Sequence, residues 1–218
     1  MHKQIKILII INSIFLLAAN AFAPLYAVFV QGITDKVYHV GAIWGVFIFS
    51  AGVFIFIFSR YENNLKYANY FLIGGFIIRA IGWSAYIFAS TLTHLYSIQI
   101  ILAVGAAMGS PSYSSLYTRY LTKKHYASDW GIDLSIGAII AGIAAFSGGI
   151  IVDRFGFDLL LIAMVVLSLL SAVVAFIHRK ELGSKNLKIN FNYFIPRPHI
   201  SDINVVKRNP KLSGQELH

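Results

Sequence analysis

The amino-acid sequence predicts an all-α, polytopic membrane protein with six transmembrane helices. Three observations predict this class. The 218 residues are 57% hydrophobic and only 12% charged, with a mean hydropathy of +0.69, whereas a soluble domain carries about 25% charged residues. The apolar residues form continuous runs long enough to cross a bilayer, rather than the short alternating segments of a β-barrel. Lys and Arg concentrate on alternate connections between these runs, as cytoplasmic loops do.

The first apolar run, from about residue 7 to residue 30, begins like a signal peptide. An Ala-Phe-Ala sequence before Pro24 resembles a cleavage site. The apolar run continues well past this point, and proline fits poorly at the first position of a cleaved product. We therefore predict a retained helix. The later spans are predicted at about residues 40–58, 67–90, 95–118, 131–152 and 157–177.

The basic residues predict the orientation of these spans. With six helices, one side of the membrane receives nearly all of them: Lys3, Lys6, Arg60, Lys66, Arg119, Lys123, Lys124, Arg179 and Lys180. The other side receives Lys36 and Arg154. Both termini are therefore predicted to be cytoplasmic, in a multi-pass protein of the cell membrane. The net charge of +9 is explained by these loops and does not indicate nucleic-acid binding.

The chain divides into a six-helix transmembrane domain, residues 1–178, and a basic cytoplasmic tail, residues 179–218. The tail is polar and contains three of the five prolines, so we expect it to be poorly ordered.

One charge, Arg79, lies near the middle of the third span. A charge at this depth costs about 2.5–3.5 kcal/mol on insertion scales, so it should face protein or water rather than lipid. Gly75 and Gly82 fall on the same helix face and would allow another helix to come close.

Two spans carry polar or small residues at helical spacing. In the first span these are Ser13, Asn20, Ala27 and Gln31, and in the fourth they are Gln99, Ala103, Ala106, Ser110, Tyr113 and Tyr117. Such a stripe is typical either of the lining of a water-filled path or of helix packing, and the sequence leaves both interpretations open. The candidate substrate-binding residues are Ser13, Asn20, Gln99, Ser110, Tyr113 and Tyr117.

The sequence contains no pattern typical of an enzyme or a metal protein. There is no cysteine, and the seven histidines are scattered. We predict no catalytic residue, no metal and no cofactor. Asp129 and Asp133, at the start of the fifth span, are expected to pair with Arg119 or Lys123.

The layout of the chain resembles one half of a major facilitator superfamily transporter. The resemblance covers about residues 5–178 and rests on the six spans and on three segments, ANAFAPLYAVFV, ILAVGAAMGSPSYSSLY and SGGIIVDRFGF. It implies a six-helix bundle in which the first and fourth helices line a cavity. The second and fifth helices would form the seam with the other half, and the third and sixth would lie outside. Arg79 would then brace the bundle.

The family's loop signature, G-x-x-x-D-R-x-G, occurs at Gly149, Asp153, Arg154 and Gly156. In the predicted topology this segment lies on the outer side, so we interpret it as a turn. The expected position between the second and third helices retains only Arg60. Ile101 stands where the family has an arginine in the fourth helix, and the G-P-x-x-G-G pattern of antiporters lacks its proline. Antiport and proton coupling are therefore not implied.

The family usually has twelve helices, whereas this chain has room for six. Two copies inserted in the same orientation would imitate the arrangement of its two halves. We therefore expect transport of a small solute by a parallel homodimer or by this chain with a partner half. The alternative is a non-transporting structural or regulatory membrane protein derived from a half-transporter.

Overall fold

The computed structural model describes residues 2–62, 65–121 and 126–183, and these form helices without a β-strand. The predicted loop residues Lys123 and Lys124 and residues 184–218 of the predicted tail lie outside this description. The helices are α1 (Lys3–Phe22), α2 (Tyr26–Gln31), α3 (Val37–Glu62), α4 (Leu65–Tyr86), α5 (Leu92–Tyr120), α6 (Tyr126–Ile177) and α7 (Arg179–Gly183). The all-helical class is confirmed.

The first predicted span consists of α1 and α2 joined by a short 3₁₀ turn, Ala23–Leu25. Pro24 occupies this turn. Its missing N–H removes one helical hydrogen bond and its ring crowds the preceding turn, and the backbone tightens there into the 3₁₀ turn. The predicted span from residue 67 to residue 90 ends as a helix at Tyr86. The next helix begins at Leu92 because the Thr91 side chain accepts a hydrogen bond from the backbone N–H of His94 at 3.3 Å.

The fifth and sixth predicted spans are both contained in α6, which has 52 residues. Gly156 interrupts it with φ 79° and ψ 178°, a conformation that residues with a Cβ rarely adopt. The sequence predicted a turn over the whole motif from Gly149 to Gly156. In the structure Asp153 and Arg154 are helical, and the turn is confined to Gly156.

Two hydrophobic clusters show how the helices run. The first contains Ile5–Ile11, the start of α4, the ends of α5 and α6, and Leu182. Lys3 Nζ lies 2.9 Å from Glu181 Oε2 beside it, so we name this the terminal end. The second cluster contains Ala18–Val30, Ile43, the end of α4, the start of α5, and α6 on both sides of Gly156. We name this the cavity end.

Five described helical segments contribute to both clusters: α1 with α2, α4, α5, α6 before Gly156 and α6 after it. α3 contributes Ile43 to the second cluster. The far end of α3 returns to α4, where the rings of Phe58 and Phe71 lie 5.8 Å apart. Ser168 in the last segment donates a hydrogen bond to the Phe76 carbonyl oxygen at 2.8 Å, which joins that segment to α4.

Glycines allow two pairs of helices to approach at backbone distance. A Cβ on Gly75 would lie 2.7 Å from the backbone nitrogen of Gly109, so α4 and α5 touch there. A Cβ on Gly148 would collide with the backbone carbonyl of Ala21, so α6 touches α1. The predicted close contact through Gly75 is therefore confirmed, and the second contact lies at the cavity end.

Within the described ranges, four helical segments are long and apolar enough to cross a membrane: Lys3–Gln31, Val37–Ser59, Leu92–Tyr120 and Tyr126–Ile177. The last of these contains the break at Gly156.

Residues 179–183 of the predicted tail form α7, which is held in place by a hydrogen bond of 2.7 Å from the Tyr120 hydroxyl to the Leu182 carbonyl oxygen.

Candidate functional site

A cavity of about 270 Å³ lies between the helices at the cavity end. Its wall is mostly aromatic, with Phe15, Phe22, Tyr26, Trp44, Phe47, Trp83 and Tyr86. Ala19, Ala23, Leu102 and Met164 complete the apolar lining, and Arg79 and Gln99 are the polar side chains that reach it. An apolar cavity with a few converging polar groups is the usual form of a small-molecule site.

The only charged side chain in this lining is Arg79, which is 9% exposed. One guanidinium nitrogen donates a hydrogen bond to Ser110 Oγ at 3.2 Å, and the guanidinium carbon lies 4.4 Å from the centre of the Phe15 ring. Gly105 and Gly109 make room for the side chain, since a Cβ on Gly105 would lie 2.7 Å from Arg79 Cγ. The small residues of α5 therefore leave space for the long Arg79 side chain, which extends from α4 into the bundle.

Gln99 is 2% exposed, and its amide nitrogen donates a hydrogen bond of 2.7 Å to the Tyr26 hydroxyl. This bond joins α2 to α5 across the cavity wall. Of the six candidate binding residues, Gln99 is the one that lines this cavity.

Ser13 and Asn20 lie on a neighbouring face of α1. The cavity receives Phe15, Ala19 and Phe22 from this helix. Successive residues are about 100° apart around a helix, so the face through Asn20 is rotated by one such step from the face through Ala19. Asn20 donates a hydrogen bond to the Leu16 carbonyl oxygen of its own helix at 3.0 Å.

Tyr113 and Tyr117 lie at the terminal end, where they join α5 to the start of α6. The Tyr113 hydroxyl donates a hydrogen bond to Asp133 Oδ1 at 2.6 Å, and the Tyr117 hydroxyl donates to the Asp129 carbonyl oxygen. The Tyr117 ring also lies 4.7 Å from the ring of Trp130. Asp133 thus accepts a hydrogen bond from a tyrosine hydroxyl. The sequence predicted Arg119 or Lys123 as its partner, and Lys123 lies outside the described residues. The remaining candidate, Ser110, is exposed on the α5 surface and reaches the site through Arg79.

The sequence reasoning missed most of the cavity wall. The signal on the first span was the spacing of Phe15, Ala19, Phe22 and Tyr26, which places apolar residues on one helix face. Nothing in the sequence indicated that α3 would add Trp44 and Phe47 to the same space. In the described parts of the chain, no cluster of His, Asp and Glu is suited to a metal ion.

The family model for the Major Facilitator Superfamily matches residues 7–212, nearly the whole chain. No curated protein and no solved structure was found to match this chain. The family consists of membrane transporters rather than enzymes, which agrees with the apolar helices and with the bundle. The chain is therefore an integral membrane protein that belongs to the Major Facilitator Superfamily.

Proposed function

We propose that this chain is a half-transporter that moves a small solute across the membrane by alternating access, as a same-orientation homodimer or with a partner half. The observation that carries the proposal is the cavity between α1 and α5, where Arg79 and Gln99 are buried among aromatic side chains. Buried polar groups are costly unless they serve packing or a ligand, and these two border open space.

Six membrane crossings, with both termini cytoplasmic, are part of this proposal. At about 1.5 Å per residue α6 would extend about 78 Å, more than twice the roughly 30 Å of a hydrocarbon core. The break at Gly156 divides it into two lengths suited to one crossing each. The contact between Lys3 and Glu181 supports an even number of crossings, because it brings both ends of the described chain together.

The partner is proposed from the surfaces that this chain leaves open. In the most apolar stretch of α3, 11% of the residues are buried within this chain. In the span that includes α1 the share is 50%. A Cβ on Gly41, Gly45 or Gly52 of α3 would meet no atom of the described residues within 4 Å, and the same is true of Gly142 and Gly149 in α6. Small residues of this kind allow helices in a membrane to pack closely, which supports a seam formed by these two helices.

The central test compares two leucines of α5 by thiol labelling. Leu102 lines the cavity, whereas Leu116 is buried in the terminal cluster. The chain has no cysteine, so Leu102→Cys and Leu116→Cys give no background. In native membranes we expect a small, neutral, water-soluble maleimide to label the first and spare the second, with Asp35→Cys in the exposed turn after α2 as the labelled reference.

Protection of Leu102→Cys to the same degree as Leu116→Cys would mean that water does not reach the cavity. That result would contradict transport through this site and would favour the structural or regulatory alternative.

The partner is tested separately by cross-linking. Gly52→Cys and Gly142→Cys, combined in one chain, should form an intermolecular disulfide if α3 of one copy meets α6 of another. The control pair, Gly52→Cys with Val166→Cys, places the second thiol on an exposed position of the last helical segment. If both double-cysteine variants remain monomeric after oxidation, this homodimer is ruled out. Pairing with a different partner half would then remain.

A further inference from the structure

We infer that the solute is a small organic monoanion with an apolar or aromatic body, and that Arg79 binds its anionic group. This inference rests on the proposed function, because it names the class of solute that the same cavity would carry. It changes the expected role of Arg79 from a brace between helices to a binding residue.

The first argument is the unbalanced charge. Among the described residues no carboxylate lies within 4.0 Å of the Arg79 guanidinium. Ser110 is neutral, and the Phe15 ring offers only the weak attraction of an aromatic face for a cation. A buried charge without a counter-ion is costly. An anion in the cavity would supply the missing opposite charge.

The second argument is the geometry of the guanidinium. It has five N–H donors in a planar fork, and the bond to Ser110 uses one of them. The Phe15 ring holds one face of this plane. The group is thus fixed in orientation while donors remain for a carboxylate, which arginine binds through two parallel hydrogen bonds.

The third argument concerns the rest of the ligand. Aromatic rings and alkyl groups form nearly all of the cavity wall, so an inorganic anion would lose its hydration on every side that does not face Arg79 or Gln99. Rings such as Trp83 and Tyr86 suit an apolar body. The volume of about 270 Å³ lies below the range of about 300–1,000 Å³ for drug-sized ligands, so the body is small.

The first experiment measures the electrostatic potential in the cavity. Ala19 lines it one helical turn from Phe15, and Ala19→Cys is treated with an anionic reagent, 2-sulfonatoethyl methanethiosulfonate, or a cationic one, 2-(trimethylammonium)ethyl methanethiosulfonate. We expect Arg79→Gln to lower the ratio of anionic to cationic reaction rates roughly ten-fold. A unit charge about 6 Å away in a hydrated cavity, with a dielectric constant of about 80, changes each rate about three-fold and in opposite directions for the two reagents.

Two controls accompany this measurement. Arg79→Lys keeps the charge and should keep the ratio. Asp35→Cys, which is exposed in the turn after α2, should show a ratio that does not depend on residue 79.

The second experiment keeps Arg79 and therefore does not depend on the folding of an Arg79 variant. Phenylacetate should protect Ala19→Cys from a neutral maleimide at a concentration roughly ten-fold lower than phenylacetamide, its uncharged analogue. A ten-fold difference corresponds to one charge-assisted contact.

The outcomes separate the inference from the proposed function. Two results would contradict an anionic solute and still leave a hydrated transport path. One is labelling by both charged reagents at a rate ratio that Arg79→Gln does not change. The other is equal protection by phenylacetate and phenylacetamide. Failure of every reagent to label Ala19→Cys, while Asp35→Cys reacts, would contradict the path itself and the inference with it.

Discussion

The two ends of the bundle use a tyrosine hydroxyl in different ways. At the cavity end, the Tyr26 hydroxyl accepts a hydrogen bond from Gln99 beside open space. At the terminal end, the Tyr113 hydroxyl donates to the buried carboxylate of Asp133 and joins α5 to α6. Gln99 and Tyr113 belong to one stripe of α5, so a single stripe serves an open site and a closed contact.

The largest effect is expected from the glycine that closes the backbone contact at the cavity end. In Gly148→Ala the new Cβ would collide with the Ala21 carbonyl, and a backbone cannot move aside as a flexible side chain can. We expect a loss of about 3 kcal/mol in the free energy of unfolding, measured from the thermal unfolding of the detergent-solubilised protein.

The matched control lies in the same helix near the terminal end. In Gly137→Ala the Cβ would lie 3.3 Å from the end of the Leu16 side chain, which can shift. The gain of roughly 0.5–1 kcal/mol for alanine over glycine in a helix should offset this contact. Equal destabilisation by the two changes would show that the helices are no closer at Gly148 than at Gly137.

The next effect is expected at the closed end. Tyr113→Phe removes the donor to Asp133, which is 8% exposed. A hydrogen bond to a charged group is worth about 1.5–3 kcal/mol, so stability should fall by about 2 kcal/mol. The same change at Tyr70, which is 56% exposed on α4, should leave the unfolding temperature unchanged. A Tyr113→Phe protein as stable as the unmodified chain would mean that this bond does not hold the end shut.

The smallest effect is expected from the same substitution at the cavity. Tyr26→Phe removes a neutral hydrogen bond to Gln99, worth about 0.5–1.5 kcal/mol. Water in the adjacent cavity can replace the lost partner, so stability should fall by about 1 kcal/mol or less. The comparison between the two ends fails if Tyr26→Phe destabilises the protein more than Tyr113→Phe does in the same unfolding measurement.

The sequence alone determined the all-helical class and the apolar segments, because these depend on composition and local backbone chemistry. It also showed that Arg79 must avoid lipid, since that follows from the cost of a charge at mid-span. The interruption of α6 at Gly156 was indicated only as a broader turn, because several glycines there allow a change of direction and the sequence does not say which one takes it.

The tertiary structure alone decided which face of each helix borders the cavity. One helical step of about 100° separates Asn20, which bonds to its own helix, from Ala19, which lines the site. Polarity did not identify this face, because the cavity wall is built from aromatic rings of several helices. The same holds for Tyr113 and Asp133, which lie on different helices and meet only because α5 and α6 pack at the terminal end. Contacts between side chains of different helices depend on how the helices are rotated and how closely they approach one another. The local sequence does not determine either of these.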